Sequence, residues 1–371
     1  MRNYIESKLL SGERLTFDDG VRLFRECELH ELGMTADTIR HELHGDNAYY
    51  VVNAHINPTN ICRVCCPLCA FAAIEGDKRA YILEIDEILQ RVQSAVNNNV
   101  TQIHIVCSIH PTKSFSWYCD IIYAVHTMFP LIHIKAYTAV EIASFAEMSG
   151  KSVEEVLCVL RDCGLSSLPG GGAEIFDKSV RDKIAPNKIS ADTWLNVHRT
   201  AHKLGIVTNA SMLLGHVETC EQRVDHLIRL RDLQDESIKY RNNVYRKKIN
   251  DIENDDGGYF DCFVPLIYHG LNTELSRRIQ IEPISPQDIL RTIAISRLIL
   301  CNIKHIKSYW VTLGESLAQI ALSYGADDFD GTVFEEKIHH EAGSKVPNGL
   351  TEQRICDLII GANRIPIRKL K

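Results

Sequence analysis

The sequence predicts an α/β protein, a (β/α)8 barrel of the TIM type with a helical cap at its amino-terminal end. From about residue 49 onward, segments with strand character alternate with segments of helical periodicity, as they do in a parallel barrel. A length of 371 residues with 45% hydrophobic content is ordinary for one such domain. Polar residues also recur at the ends of the predicted strands, where barrels of this type have their active sites.

The predicted domains follow from where this alternation begins and ends. The segment 1–45 has helical character with an N-cap signal at Thr16, and we expect it to cap the barrel. The barrel itself is predicted over 46–345, followed by a carboxy-terminal helical extension over 346–371. Within the barrel, 236–256 carries blocks of basic and acidic residues, which are typical of an inserted surface loop. A partner-binding insertion is the alternative.

The individual elements are assigned from two periodicities, two residues for strands and 3.6 residues for helices. The predicted strands are 50–56, 101–107, 132–137, 164–168, 206–212, 259–266, 305–310 and 327–330. The predicted helices are 84–98, 115–129, 139–163, 190–204, 219–235, 285–301 and 314–324. No period of 20–50 residues repeats along the chain, so a solenoid is not expected.

Polar side chains lie at the ends of five predicted strands. In three of these strands the polar residues are two positions apart, so they lie on one face. A single polar residue in a strand is usually a core residue with satisfied hydrogen bonds, but a repeated pattern predicts a polar pocket. The residues concerned are His55 and Asn57, Lys135 and Tyr137, Asn209 and Ser211, Lys307 and Tyr309, and Asp328 and Asp330.

Charge and targeting signals narrow the class of protein. The formal net charge of -7 argues against nucleic acid as a partner, because phosphate binding needs a basic surface. The amino terminus lacks the apolar core of a signal peptide, and no run of about 18 apolar residues would span a membrane. We therefore expect no membrane partner and a cytoplasmic location, where the 13 cysteines stay reduced. The oligomeric state is not predicted.

Four cysteines, Cys62, Cys65, Cys66 and Cys69, follow the first predicted strand and predict a metal site. Read as two Cys-x2-Cys pairs they resemble zinc ligands, although zinc pairs are usually a dozen or more residues apart. Read as Cys62-x3-Cys66-x2-Cys69, they offer three thiolates to a [4Fe–4S] cluster and leave one iron without a protein ligand. We favour the cluster, with zinc and unligated cysteines as the alternatives.

The Cys-x3-Cys-x2-Cys spacing after a first strand resembles the radical S-adenosylmethionine (SAM) superfamily. Over about residues 45 to 345 the chain also resembles one family within it, the aminofutalosine (aminodeoxyfutalosine) synthases. The stretches that carry this resemblance are His55-Ile-Asn-Pro-Thr-Asn-Ile-Cys62, His133-Ile-Lys-Ala-Tyr-Thr-Ala-Val-Glu141, Leu168-Pro-Gly-Gly-Gly-Ala-Glu174, Leu213-Leu-Gly-His-Val-Glu-Thr219 and Gly325-Ala-Asp-Asp-Phe-Asp-Gly-Thr332. Sister enzymes, the dehypoxanthine futalosine cyclase and the deazaflavin (FO) synthase subunits, are one alternative. A non-catalytic iron–sulfur or zinc protein is another.

The resemblance implies cofactors, a reaction and partners. A [4Fe–4S] cluster held by Cys62, Cys66 and Cys69 would reduce SAM to a 5′-deoxyadenosyl radical, which a dry barrel interior would protect. The radical would add to 3-[(1-carboxyvinyl)oxy]benzoate, and rearrangement with decarboxylation would give 6-amino-6-deoxyfutalosine for menaquinone biosynthesis by the futalosine pathway. The enzyme is then a transferase that consumes SAM as a co-substrate. Its electron donor would be a protein such as flavodoxin or ferredoxin.

Candidate site residues come from the strand ends and from these stretches. The substrate carries two carboxylates and needs cations or several hydrogen-bond donors. For substrate binding we expect His55, Asn57, His110, Lys135, Tyr137 and Asn209, with Arg79 and Lys307 in addition. For cofactor binding we expect Leu68, Ser108, Glu174, Met212 and Glu218, and for catalysis Lys135, His216 and Asp330. A buried, hydrogen-bonded side chain is the alternative for each histidine, and a first-turn helix carboxylate is the alternative for Glu218.

Two positions depart from the pattern common in the superfamily. The residue before the last cluster cysteine is commonly aromatic, whereas here it is Leu68. The second strand of relatives usually ends in Gly-Gly, whereas here Cys107-Ser108 would crowd a close approach of SAM. The run Gly170-Gly171-Gly172 lacks the lysine and spacing of a phosphate-binding loop, so we expect it to let the backbone approach SAM or the substrate.

Overall fold

The computed structural model describes residues 5, 7–9, 11–247 and 257–370. Its centre is a seven-stranded parallel sheet in which each strand pairs with the next one along the chain. With helices between the strands, this order curls the sheet into a barrel, so the predicted fold class is confirmed. The strands are β1 (Asn47–Val51), which lies outside this sheet, and then β2 (Asn53–Ile56), β3 (Gln102–Ile105), β4 (His133–Ala136), β5 (Ser167–Leu168), β6 (Val207–Leu214), β7 (Phe260–Ile267) and β8 (His305–Ile306).

The gap between β8 and β2 is closed by β9 (Asp328–Gly331). Lys307, directly after β8, forms a parallel bridge with Asp328, and Ala54 in β2 forms one with Phe334 beyond β9. β9 also pairs with β1 in a smaller sheet. The single strand predicted at 50–56 is therefore two strands that belong to different sheets, and the barrel closes through isolated bridges rather than a continuous ladder.

Helices cover the outside of the barrel. The predicted helix 139–163 is two helices, because Gly150 ends the first with a φ of 67° and Ser152 caps the second. No helix in the described part of the chain combines the length and apolar character needed to cross a membrane. The helices are α1 (Phe17–Glu26), α2 (Leu29–His44), α3 (Ile85–Asn97), α4 (Phe115–Met128), α5 (Ala139–Ser149), α6 (Val153–Asp162), α7 (Lys178–Ile184), α8 (Ala191–Lys203), α9 (Cys220–Lys247), α10 (Glu274–Arg278), α11 (Pro286–Ile299), α12 (Trp310–Leu313), α13 (Glu315–Ala321), α14 (Ile338–Glu341) and α15 (Glu352–Gly361).

The longest helix, α9, corrects one prediction. It continues to Lys247, so the first part of the predicted surface loop 236–256 is helical. Residues 236–247 contain neither glycine nor proline, which allows the helix to continue through this polar stretch. The remainder of the predicted loop, 248–256, lies outside the described residues.

The amino-terminal helices α1 and α2 cap the barrel and pack against α9 and α11. Thr16 begins α1 with a capping box, in which its hydroxyl accepts from the Asp19 N–H and its own N–H donates to the Asp19 carboxylate. Gly20 permits a close contact with α9, because a Cβ atom there would lie 2.7 Å from a methyl group of Val224. This segment is therefore helical and packs on the two helices that flank β7.

The predicted carboxy-terminal helical extension, 346–371, is only partly helical. α15 is followed by a strand that the sequence did not predict, β10 (Ile365–Arg368), which pairs in parallel with β1. The next residue, Lys369, donates a hydrogen bond to the carboxylate of Asp328 over 2.5 Å. The end of the chain therefore contributes a positive charge to the barrel wall.

A buried polar network fills the amino-terminal end of the barrel. The carboxylate of Asp327 accepts hydrogen bonds from Arg297 and from Nδ1 of His305. Burial alone would raise the pKa of Asp327, but the charge of Arg297 and the bond from His305 outweigh burial and lower it. His44 stacks on His305, and its Nε2 atom lies 3.0 Å from the Lys304 carbonyl oxygen. These groups satisfy one another and belong to the core.

Candidate active site

A cavity of about 320 Å³ opens at the carboxy-terminal ends of the barrel strands. Its volume falls in the range of small-molecule sites. It has two parts with different origins, which we call the loop half and the strand half. The loop half is lined by a cysteine loop (57–73), by 170–172 and by Glu174 and Lys188, and the strand half by side chains of the β-strands and their last turns.

The cysteine loop is fixed to its surroundings by backbone hydrogen bonds. The Cys62 N–H donates to the Ala73 carbonyl, and the Arg63 N–H donates to the Ile109 carbonyl. The Leu275 N–H, at the start of α10, donates to the carbonyl of Pro67 over 2.8 Å. One hydrogen bond within the loop and two to separate parts of the chain, at Ile109 and Leu275, therefore hold this loop over the mouth of the barrel.

Arg79, one of the predicted substrate-binding residues, belongs to the support of the cysteine loop. Its guanidinium donates to the carbonyls of Ala70 (3.0 Å) and Ala72 (3.4 Å) and to the carboxylate of Asp77. It does not line the cavity, because it approaches the loop from the outer side. Arg79 therefore positions the cysteine loop, and the geometry does not support the substrate contact that the sequence predicted for it.

Cys62, Cys66 and Cys69 line the cavity, whereas Cys65 is exposed and has a φ of 45°. Burial raises the pKa of the Cys66 thiol to about 12 and also raises that of Cys69, although the nearby charge of Lys188 opposes both shifts. Thiols facing one enclosed space beside a cation are a donor set suited to a bound metal group that makes them thiolates.

The three sulfur atoms can be compared with the ligand spacing of a single zinc ion. Ligands of one tetrahedral zinc ion lie about 3.8 Å apart, as Zn–S bonds of about 2.3 Å require. Among the described residues, the sulfur atoms of Cys62, Cys66 and Cys69 do not all lie within 4.8 Å of one another, whereas His44, His305 and Asp327 do meet that limit. The three sulfur atoms are therefore not arranged as a preformed site for one zinc ion.

An ion pair between Glu174 and Lys188 lies beside the cysteines. Burial raises the pKa of Glu174, but the charge of Lys188 outweighs this, so that the pKa is lowered. The pKa of Lys188 is raised by Glu174 and by Cys66 against the effect of burial. The sequence analysis predicted Glu174 and missed Lys188, which lies in a loop after α7 with no distinguishing local pattern.

Glu141 is a second buried carboxylate in the cavity that the sequence analysis did not select. It accepts hydrogen bonds from the N–H groups of Cys107 (2.7 Å) and Thr138 (2.6 Å). Burial raises the pKa of Glu141 to about 7, although these hydrogen bonds act in the opposite direction. The capping box Thr138-x-x-Glu141 is visible in the sequence, but it indicates only a helix start. Ser108, a predicted cofactor residue, lines the same wall, as does Leu68.

The glycine run 170–172 lines the loop half and packs closely on neighbouring strands. A Cβ atom on Gly170 would lie 2.6 Å from the backbone of Ala210 in β6, and Gly172 has a φ of 85°. The hydroxyl of Ser211 donates to the Gly170 carbonyl over 2.5 Å. Glycine is therefore required here by backbone packing and conformation, and the run also brings backbone to the cavity wall.

The strand half contains a row of three neighbouring side chains. His55 in β2, His104 in β3 and Lys135 in β4 are register partners on adjacent strands. Nε2 of His55 lies 3.3 Å from Nδ1 of His104, and burial lowers the pKa of both imidazoles, so that both are neutral at pH 7. Burial, followed by the charges of Lys307 and Lys369, lowers the pKa of Lys135 to about 8.

Opposite this row, Lys307 forms a buried ion pair with Asp330. Burial would lower the pKa of Lys307, but Asp328 and Asp330 outweigh burial and raise it. Asp330 has a φ of 73° and its N–H donates to Asp328 over 2.8 Å, which fixes its side chain toward the barrel. Asn209 in β6 also lines this half.

Three predicted residues near strand ends do not line the cavity. Met212 is buried on the outer face of β6, because Asn209, Ser211 and Leu213 alternate with it and face inward. Tyr137 has a φ of 61° and donates its hydroxyl to the Tyr118 carbonyl at 2.7 Å.

Asn57 is the third of these residues, and its side-chain amide donates a hydrogen bond to the Val106 carbonyl over 2.9 Å. This bond holds the Asn57 side chain in the turn after β2, away from the cavity. His110 likewise lies outside the cavity, where its Nδ1 atom accepts a hydrogen bond from the Thr112 N–H. The site roles predicted for these residues therefore have no support from the geometry.

The predicted residues His216 and Glu218 form a buried structural cluster beyond β6. Glu218 accepts from the N–H groups of Gly215 and His216 and from the guanidinium of Arg223. Burial opposes ionisation, but the contacts with His216 and Arg223 outweigh it and lower the pKa of Glu218 to about 2. His216 is engaged with Glu218 and with the Leu213 carbonyl. Both side chains hold the turn between β6 and α9 and lie outside the cavity.

Comparisons with known proteins agree with this architecture. The family model "Radical SAM superfamily" matches residues 56–230, and the model "CofH/MqnC C-terminal region" matches residues 257–370. Among solved structures, methylornithine synthase superposes with a TM-score of 0.72 at 15% sequence identity, covering 98% of this chain and 97% of that one. At this identity the likeness concerns the fold.

Two similar relatives are named for different activities. The "aminodeoxyfutalosine synthase" of Thermus thermophilus is 41% identical over 366 residues, covering 98% of this chain and 93% of that protein. The "5-amino-6-(D-ribitylamino)uracil--L-tyrosine 4-hydroxyphenyl transferase" of Archaeoglobus fulgidus is 37% identical over 338 residues, covering 91% of each. Full-length similarity therefore extends across enzymes whose named substrates differ.

Proposed function

This chain belongs to the aminodeoxyfutalosine synthase family of the radical SAM superfamily, and from that premise we propose its reaction and its site residues. The enzyme adds the 5′-deoxyadenosyl group of SAM to 3-[(1-carboxyvinyl)oxy]benzoate. Rearrangement and loss of carbon dioxide then give 6-amino-6-deoxyfutalosine, an intermediate of menaquinone biosynthesis by the futalosine pathway. SAM is consumed as a co-substrate, so the enzyme is a transferase.

The observation that supports this proposal most directly is the pairing of two features in one cavity. Three cysteine thiols line its loop half, and its strand half is lined by Lys135, which forms no ion pair with any carboxylate in the described part of the chain. The first feature suits the cofactors that the family uses. The second suits an anionic small molecule, which the substrate, with two carboxylates, is.

The family uses a [4Fe–4S] cluster together with SAM. In this chain Cys62, Cys66 and Cys69 would hold the cluster, and the exposed Cys65 would not. When bound, the cluster supplies the single electron that cleaves SAM. All thirteen cysteines of the chain are free thiols, in agreement with a reducing compartment, and we propose the cytoplasm.

The residues around the cysteine loop suit SAM. The ion pair of Glu174 and Lys188 offers one anion and one cation, which match the ammonium and carboxylate of the methionine end or the ribose hydroxyls. Leu68 in this loop and Ser108, whose N–H donates to the Thr59 carbonyl of the loop, also line the cavity and would contact the nucleoside. Glu141 keeps a carboxyl group with a pKa of about 7 at this wall, where it can accept or donate a proton at its Oε atoms.

The strand half suits the substrate. Lys135 and Asn209 supply hydrogen-bond donors, His55 lines the same wall, and Asp330 is held by Lys307 where it can act on a proton. The cysteine loop and α14 line the cavity above these side chains and narrow its opening to solvent. The reducing partner, a flavodoxin or ferredoxin, would approach the outer side of the cysteine loop, where Cys65 is exposed.

Anaerobic incubation with SAM, dithionite and 3-[(1-carboxyvinyl)oxy]benzoate tests the reaction. Mass spectrometry is expected to detect the adenosyl adduct 6-amino-6-deoxyfutalosine. Accumulation of 5′-deoxyadenosine without any adduct would refute the addition, while SAM cleavage itself would stand. Dehypoxanthine futalosine in a parallel incubation distinguishes the sister cyclase, because only that enzyme would convert it.

A second measurement tests the cofactor separately from the reaction. Iron analysis and electron paramagnetic resonance of the reconstituted protein are expected to give four irons per chain and a spectrum that changes when SAM is added. A zinc content of one per chain, or a spectrum that does not respond to SAM, would contradict the three-cysteine site.

A further inference from the structure

We propose that Lys135, together with His104, binds the carboxylate on the aromatic ring of the substrate and thereby sets which end of the substrate enters the barrel. The inference rests on the proposed function, because it assigns one of the two carboxylates of that substrate to a specific part of the cavity. It also names a specificity residue, His104, that sequence patterns did not select.

Lys135 is the cation in the strand half whose charge is not compensated. Each of the other lysines that line the cavity has a carboxylate partner, since Lys188 pairs with Glu174 and Lys307 pairs with Asp330. Among the described residues no carboxylate lies within ion-pair distance of the Lys135 ammonium, and Lys307 and Lys369 add further positive charge nearby. A bound carboxylate would give the Lys135 ammonium the ion-pair partner that the other two lysines of the cavity already have.

His104 supplies a second donor beside Lys135. The two residues are register partners on β3 and β4, so their side chains lie on the same face of adjacent strands. The Nδ1 atom of His104 faces Nε2 of His55, and Nε2 of His104 is buried without a hydrogen-bond partner among the described residues. In the tautomer in which His55 donates to Nδ1, the free Nε2 atom of neutral His104 carries the proton and can donate to a ligand.

The depth at which Lys135 and His104 lie in the barrel indicates which of the two substrate carboxylates they bind. The charged groups that act on Lys135 are Lys307, Lys369, Asp261 and Asp330, which belong to β7, β8, β9 and the chain end. The groups that act on Cys66 and Cys69 are instead Lys188, the other cysteines and, for Cys66, Glu174. Lys135 therefore lies apart from the loop half, deeper in the barrel.

The substrate has its two carboxylates at opposite ends of the reacting system. One is attached to the enol ether carbon framework that must receive the adenosyl group, and so faces the loop half. The other is attached to the ring and lies farther from that bond. With SAM beside the cysteines, the ring carboxylate is the one that reaches Lys135 and His104.

A truncated substrate tests whether Lys135 binds the ring carboxylate or the enolpyruvyl carboxylate. The wild-type enzyme and the Lys135→Met variant are each assayed with 3-[(1-carboxyvinyl)oxy]benzoate and with 2-phenoxyacrylate, which lacks only the ring carboxylate. We expect Lys135→Met to raise KM for the full substrate by about 10- to 100-fold and to leave KM for 2-phenoxyacrylate within about twofold. His104→Phe is expected to show the same selectivity with a smaller effect.

Two outcomes would overturn the inference. An equal rise of KM for both compounds would assign Lys135 to the enolpyruvyl carboxylate, and no change for either compound would remove Lys135 from substrate binding. Lys151→Met, at an exposed position between α5 and α6, is the matched control and is expected to behave as wild type.

A binding measurement without turnover protects the test against a loss of folding or of the cofactors. Calorimetric titration with 3-hydroxybenzoate is expected to show binding to wild type and to Lys151→Met, and at least about tenfold weaker binding to Lys135→Met and Lys135→Gln. Equal affinity for all four proteins would overturn the inference. If the wild-type enzyme formed no adenosyl adduct at all, the proposed function would fail, and this result is read separately from the variants.

Discussion

The two halves of the cavity differ in how the chain builds them. The strand half is made of His55, His104 and Lys135 on β2, β3 and β4, whose relative positions are set by backbone ladders. The loop half is made of the cysteine loop, a glycine run and Lys188, which come from separate connections held by a few hydrogen bonds. Strands thus give the substrate end a fixed geometry, whereas the loops supply ligands whose final geometry depends on the group they bind.

The two halves of the cavity also differ in how their charges are paired. In the loop half Lys188 is balanced by Glu174, and the thiols become anions when they bind metal. In the strand half Lys307 is balanced by Asp330, whereas Lys135 has no ion-pair partner among the described residues. Substitutions in the loop half should therefore abolish cofactor binding or stability, and those in the strand half should change substrate affinity.

The largest expected effect is the loss of a cluster ligand from the loop half. Cys66→Ala should remove the cluster and lower activity by at least about 100-fold, because even indirect supports of a metal cost up to about that much. Iron content and electron paramagnetic resonance after anaerobic reconstitution measure it. Cys65→Ser is the matched control and should keep both iron and activity. A Cys66→Ala protein with four irons per chain would contradict the assignment.

The next effect concerns the ion pair of the loop half. Lys188→Met leaves Glu174 buried without its partner, which should lower the free energy of unfolding by about 3–5 kcal/mol. Urea denaturation measures this change. Lys178→Met, which breaks an exposed pair with Asp182, is the control and should cost no more than about 1 kcal/mol. Equal losses in the two variants would show that the Glu174–Lys188 pair is not isolated from water.

Breaking the ion pair of the strand half should lower the free energy of unfolding less than breaking the pair of the loop half. Asp330→Asn leaves Lys307 with Asp328 at 3.9 Å, so we expect the free energy of unfolding to fall by only about 1–3 kcal/mol. The same urea titrations measure it. A loss as large as that of Lys188→Met would remove the contrast between the halves.

The pH dependence of turnover should report Lys135. Its pKa of about 8 reflects burial and the charges of Lys307 and Lys369, opposed by Asp261 and Asp330, with neutral His104 beside it. Only the protonated amine attracts a carboxylate, so kcat/KM for the full substrate should fall toward tenfold per pH unit above about pH 8, in addition to the titration of Glu141 near pH 7, which affects both compounds equally. The profile for 2-phenoxyacrylate should lack this fall, and identical profiles would count against the role of Lys135.

The smallest effect is expected on the outer face of β6. Met212→Leu conserves volume and should change neither KM nor, by more than about 1.5 kcal/mol, stability. Asn209→Ala, on the inner face of the same strand, should raise the substrate KM by several-fold, to about tenfold. Steady-state kinetics with the two variants decide whether the alternation along β6 separates site from core.

Local pattern in the sequence determined the fold class, the cysteine loop and most of the inward-facing polar residues. Alternating strands and helices predict a barrel because parallel strands need crossover helices, and its active end follows from strand direction. The alternation of side chains along a strand also separates cavity-facing residues from core residues, and it does so at two positions that our sequence predictions did not use. Residue parity along β6 places Met212 opposite Asn209, and parity along β3 places His104 with Ser108 on the face toward the cavity.

Only the tertiary structure decided which charges remain free and which loops meet. Lys188 and Glu174 are 14 residues apart, and Lys307 finds Asp330 across the closure of the barrel, so no local pattern reveals either pair. Glu218 and His216 are residue types that are common in active sites, but here their polar atoms bind Arg223, each other and the backbone of the turn that they stabilise. An ionisable side chain acts on a ligand only when no nearer group satisfies it, and that depends on contacts between distant parts of the chain.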